Sequence, residues 1–159
     1  MTKDKKHQKT IAIDFDGVLA DYSNGWQGDD VFGDVIDGAS AATGVLKKDG
    51  WKIIIFTTRK VTDKLKAWLK DNEISYDYIN ENPDQPENTS GKVIADIYLD
   101  DRAVTFRGDW KWTVRDIAGF TPYQRKKDDL EKEIKKNYDE EKKWASQHNP
   151  FVIGESADK

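Results

Sequence analysis

Asp14 and Asp16 stand one residue apart at the end of the apolar run Ile11-Ala12-Ile13 and just before Gly17. Strand side chains repeat with period two, so both carboxylates can point the same way as the strand ends. Two like charges held that close repel, and such a pair is normally held by a metal or used for proton transfer. Other polar groups follow apolar runs further along: Thr57, Thr58 and Arg59 after residues 51–56, and Asp100 with Asp101 after residues 94–99. Lys92 stands alone shortly before the second acidic pair. The chain has no cysteine, which excludes disulfides, thiolate metal sites and cysteine nucleophiles, so any metal must be held by oxygen.

These groups need elements to bring them together. Residues 10–13 read as a buried strand, and residues 51–56, with Ile53, Ile54 and Ile55 at the centre, give the strongest strand signal. Residues 76–79 and 94–99 supply a third and a fourth strand. Between them, residues 37–48 form a short helix that ends at Asp49-Gly50, glycine supplying the left-handed cap. A second helix places Val61, Leu65, Trp68 and Leu69 on one face, beginning at Thr62 or Asp63 and ending at Asp71-Asn72. Strands alternating with helices imply parallel pairing through right-handed crossovers, and in such sheets ligands sit outside the carboxyl ends of the strands. Asp14 and Asp16, Thr57, and Asp100 with Asp101 all fall at those ends and are expected to converge. The expected fold is a Rossmann-like α/β three-layer sandwich with a mainly parallel sheet.

A length of 159 residues with 36% hydrophobic content suits one domain with its own core. The net charge of -4, with both signs interspersed, describes a solvated surface rather than a nucleic-acid-binding one. No apolar run approaches the roughly 20 residues that span a bilayer, and the lysine-rich start lacks an apolar core segment, so a cytoplasmic protein with no membrane partner is expected. The expected organisation is a polar N-terminal tail over residues 1–9, a catalytic domain over 10–120, and a helix with tail over 121–159. Thr121 is the N-cap and Pro122 the first residue of that long helix. Its broken stripe of Tyr123, Leu130, Ile134, Tyr138 and Trp144 packs on the domain or on a second subunit, making a homo-oligomer through this helix one outcome.

Asp14-Phe15-Asp16-Gly17-Val18, Thr57 after an apolar strand, the lone Lys92, and Asp100-Asp101 after another strand resemble, in order, the four motifs of the haloacid dehalogenase-like phosphohydrolases. The run from Asp14 to Asp21 is also similar to the first motif of the deoxyribonucleotidase branch. The resemblance implies Mg²⁺ as cofactor, with Asp14, Asp100, Asp101 and the backbone carbonyl of Asp16 around it. By the same resemblance Asp100 would be the direct ligand, with Asp101 bound directly or through water. Asp14 would be the nucleophile that forms an aspartyl-phosphate, and Asp16 the general acid and base. Thr57 offers a hydroxyl and a backbone N–H to the phosphoryl oxygens and Lys92 a fixed positive charge, with Thr58 and Arg59 beside the substrate. Thr57 also suits the N-cap of the helix that follows, and Arg59 suits a surface position equally well.

The second aspartate bears on the reaction class. Displacement of a halide needs neither an acid for an alkoxide leaving group nor Mg²⁺, whereas hydrolysis of a phosphate ester uses Asp16 and the Asp100-Asp101 pair. The spans between Asp16 and Thr57 and between Thr58 and Lys92 are filled by ordinary elements, leaving no room for a helical cap domain. A nearly capless site admits a nucleotide, a sugar phosphate or a macromolecular phosphate end. Transfer of the phosphoryl group to an acceptor other than water, and a metal-binding scaffold without catalysis, are the alternatives. Asp21 is expected to hydrogen-bond the loop after the nucleophile, and Trp26 to pack there or to close over the site. Arg102, Arg107, Trp110 and Trp112 follow the last acidic motif and are further candidates for the pocket wall.

Overall fold

The computed structural model describes residues 7–89, 91–123, 132, 134–140 and 142–143. Its core is a four-stranded sheet in the order β3-β2-β1-β4, with every pairing parallel. The strands are β1 (Thr10–Ile13), β2 (Lys52–Ile55), β3 (Tyr78–Ile79) and β4 (Ile97–Leu99). β1 is central and pairs Ile11 with both Ile53 and Ile97. Buried on both sides, β1 and β2 need continuous apolar runs rather than alternation, which is what their sequences carry.

Three helices are described in this part of the chain: α1 (Ala39–Lys48), α2 (Asp63–Asp71) and α3 (Trp110–Ala118). α1 ends as its sequence suggests, with Gly50 at φ +82 donating to Lys47 O. α2 starts at Thr62, whose hydroxyl accepts from Leu65 N at 3.2 Å, so the helix cap is Thr62 and not Thr57, five residues before it. α3 has no counterpart among the expected elements; Asp109 caps it by accepting from Lys111 N and Trp112 N.

Ile11, Ile13, Phe15, Ile53 and Ile55 face one way and meet Leu65 and Leu69 of α2, with Ala39 and Leu46 of α1 against the same cluster. On the opposite face the layer is thin, with Ala12, Ile54 and Val93 buried and Phe56, Tyr78 and Ala95 packed beside them. β4 is an edge strand whose three side chains remain partly open to solvent.

The chain divides into two compact units, Met1–Gln124 and Arg125–Lys159. Residues 134–140 of the second are helical, whereas Leu130 and Trp144 of the expected stripe, and residues 1–6 of the expected N-terminal tail, lie outside the described residues. Among the described residues no helix is long and apolar enough to cross a membrane.

Candidate active site

The β1 ladder continues one residue past the strand, with Asp14 N donating to Leu99 O at 2.8 Å, and this brings Asp14 level with the acidic pair that follows β4. The chain then turns sharply: Leu19 N and Ala20 N both donate to Phe15 O, and Gly17 N donates to Ala20 O. Gly17 is required there on two counts. Its φ is +84, and a Cβ on it would come within 2.7 Å of the Asp101 carboxyl carbon.

One carboxylate oxygen each of Asp14, Asp100 and Asp101 lies within 4.8 Å of the others. Asp101 has a side chain only 3% exposed, and Arg102 Nε stands 3.9 Å from its Oδ1, beyond hydrogen-bond reach. That Oδ1 is buried with no hydrogen-bond partner. Burial above all, helped by repulsion from Asp100 and Asp16, raises the Asp101 carboxyl above the usual range against the pull of Arg102. Asp14 is pushed up from 3.8 to about 7, chiefly by burial and further by Asp100, Asp16 and Asp101, although Phe15 N donates to its Oδ1 at 2.7 Å. A crowded, partly dry, all-oxygen donor set with an unsatisfied buried oxygen fits a hard divalent cation.

Asp14, Asp16 and Asp100 line one side of a cavity of about 350 Å³, and Thr57, Thr58, Phe56, Tyr22 and Arg102 complete it. The site residues expected from Asp14, Asp16, Thr57, Thr58 and Asp100 are thus brought together. Thr57 is fixed at both ends of its peptide by Asn80, whose Oδ1 accepts from Thr57 N at 2.8 Å while its Nδ2 donates to Thr57 O at 2.8 Å. Asn80 adopts φ +58, a left-handed conformation asparagine tolerates better than most residues. The Thr57 hydroxyl accepts from Arg59 N at 3.1 Å.

Arg59 was expected beside the substrate; instead its side chain is 2% exposed and turned onto Asp16. Nε donates to Asp16 Oδ2 at 2.8 Å and Nη2 to Oδ1 at 2.8 Å. The Asp16 carboxylate therefore lies outside the acidic trio, held by a cation of the chain itself. Lys92 also lies apart from the cavity wall: it is exposed, and its Nζ stands 4.3 Å from the centroid of Tyr98. Of the other candidates, Arg102 lines the cavity and stacks on Tyr22 at 5.3 Å, while Trp110 sits on exposed α3 at 70% exposure. Asp21 accepts from Ser23 N and Oγ, as a loop-holding residue should.

Sequence reasoning passed over Asn80, Tyr22 and Phe56. A trace was present for Asn80, an asparagine just past a strand, but nothing in the order of residues says that its amide reaches back to Thr57.

No family model matches the chain, and no curated protein matches it. Among solved structures it is similar to that of a conserved protein from Bacteroides thetaiotaomicron, at 24% identity and a TM-score of 0.51, over 70% of this chain and 91% of that one. It is also similar to a chain of the Pnkp1/Rnl/Hen1 complex, at 21% identity and a TM-score of 0.46, over 72% of this chain and 43% of that one. The likeness to the Bacteroides protein is one of fold.

Proposed function

We propose that the chain is a Mg²⁺-dependent phosphomonoesterase of the haloacid dehalogenase-like kind, working through an aspartyl-phosphate on Asp14. The observation that carries this reading is the meeting of Asp14, Asp100 and Asp101 oxygens within 4.8 Å, at a cavity that also holds Thr57 and Asp16. Asp14 would attack phosphorus in line, its oxygen forming the new P–O bond as the ester P–O bond breaks and the leaving oxygen takes a proton from Asp16. A water then attacks the phosphorus of the aspartyl-phosphate and gives its proton to Asp16, which frees inorganic phosphate and restores Asp14. Thr57, its peptide held by Asn80, presents its hydroxyl to the phosphoryl oxygens. Mg²⁺ held by Asp14, Asp100 and Asp101 would neutralise charge on the attacking carboxylate and on the phosphoryl group. Lys92, resting over Tyr98, carries no step in this scheme.

The substrate is a phosphorylated nucleotide, sugar or macromolecular end, since the described residues put no helical cap over the cavity. Inorganic phosphate release from a panel of these classes, with Mg²⁺ and with EDTA, tests the reading. Release that requires the metal is the expected result. Folded, metal-loaded protein that releases nothing from any class would refute it.

A further inference from the structure

Buried arginines are rare unless paired, and Arg59 is among the most enclosed side chains near the cavity. Its guanidinium is bound along every edge. Nε and Nη2 hold Asp16, while Nη1 donates to Gly28 O at 3.2 Å and Asp29 O at 3.3 Å. Its faces are enclosed by rings, with Trp26 at 4.6 Å, Phe32 at 5.0 Å and Phe15 at 5.7 Å. Trp26, Gly28, Asp29 and Phe32 belong to the loop between β1 and α1, and two further pairs, Lys60 with Asp29 and Lys64 with Asp30, tie the same loop to the start of α2.

We propose that Arg59 is a positioning residue for the reaction: it sets the Asp16 carboxyl in its working orientation and makes that orientation depend on the loop carrying Trp26 and Asp29. The inference rests on the phosphatase reading above. A planar guanidinium with two donors on one carboxylate fixes the plane and direction of that carboxylate, which a lysine's single ammonium does not. Oδ1 accepts from both Nη2 and Nε, whereas Oδ2 accepts from Nε alone, which leaves Oδ2 with the spare lone pair for the proton it passes to the leaving oxygen. An acid displaced by an ångström loses proton transfer while phosphate binding and the nucleophile remain.

The test is a comparison of leaving groups with the full chain and Mg²⁺. p-Nitrophenyl phosphate departs with little help from an acid, and phenyl phosphate needs it. In Arg59→Lys, kcat/KM for phenyl phosphate, which reports the steps through aspartyl-phosphate formation, is expected to fall about ten- to a hundredfold more than kcat/KM for p-nitrophenyl phosphate. Asp16→Asn should show the same selectivity, and the double variant should be no more selective than Asp16→Asn alone. If Arg59→Lys does not fold, Trp26→Ala, at a half-exposed position, removes one wall of the guanidinium seat and should produce the same selectivity at severalfold size. Equal losses in kcat/KM on both substrates, or selectivities that multiply in the double variant, would overturn the positioning role while leaving the phosphatase reading intact. A wild-type chain that turns over neither ester would instead bring down that reading.

Discussion

The two ends of the sheet treat aspartate in opposite ways. At the amino end three carboxylates meet donors: Asp96 accepts from Thr10 N and His7, Asp77 from Ile53 N and Lys47, and Asp84 pairs with buried Lys52. The Thr10 N–H, and after it His7, hold the Asp96 carboxyl below its usual range. At the carboxyl end Asp14, Asp100 and Asp101 crowd together, and burial pushes Asp14 and Asp101 upward. The contrast shows that negative charge is satisfied where the fold needs strand starts held and left in excess where a cation can be taken up. Asp16 is the exception at that end, and the chain's own Arg59 makes it so.

The largest expected effect separates the two ends by chemistry. Asp14→Asn should lower phosphate release by on the order of ten-thousandfold, measured under saturating Mg²⁺, with no loss of melting temperature in EDTA. A variant that kept its activity would remove Asp14 from the nucleophile's place.

The next effect is on stability without metal. Asp14 holds its proton up to about 7 when folded, against 3.8 ordinarily. The stabilisation is therefore full below the lower value and is lost as pH rises through the higher one. The melting temperature of EDTA-treated protein should fall from pH 5 to pH 8. Because the group is partly open to solvent, its share of the change should be about 1–2 kcal/mol, and Asp14→Asn should reduce the fall to what Asp101 contributes. Mg²⁺ at about a hundred times its Kd should return about 2.7 kcal/mol at the alkaline side. A melting temperature that rose with pH in EDTA would contradict the crowding.

The smallest effect belongs to the amino end. Lys52→Met keeps the apolar stem and gives up a pair whose Asp84 partner is 76% exposed, so it should cost about 1 kcal/mol or less. Its kcat should match wild type; a tenfold loss would tie that end to the chemistry.

The parts of this design written in local order were legible. The isoleucines of β2, the apolar run into Asp14, the glycine at Gly50 and the helical spacing of Leu65 and Leu69 each state their element directly, and parallel topology then carries Asp14, Thr57 and Asp100 to one end. α3 was overlooked although Trp110, Val114 and Ile117 stand at i, i+4 and i+7 on one helical face; Trp112 falls on the opposite side and blurs the stripe, and the cap at Asp109 stands among other polar residues. Arg59, placed beside the substrate, and Asn80, passed over, differ from their reading for another reason. Their roles are set by partners 43 and 23 residues away, and a guanidinium or amide carries no local sign of which way it turns. Lys92 shows the reverse, a motif position whose side chain rests on a neighbouring ring.

Calorimetric titration of Mg²⁺ into metal-free protein tests the cation seat most directly. One ion per chain is expected to bind wild type and Asp96→Asn alike and to be lost in Asp101→Asn. Unchanged binding in Asp101→Asn, or none in wild type, would contradict the assignment of the carboxyl end as the metal site.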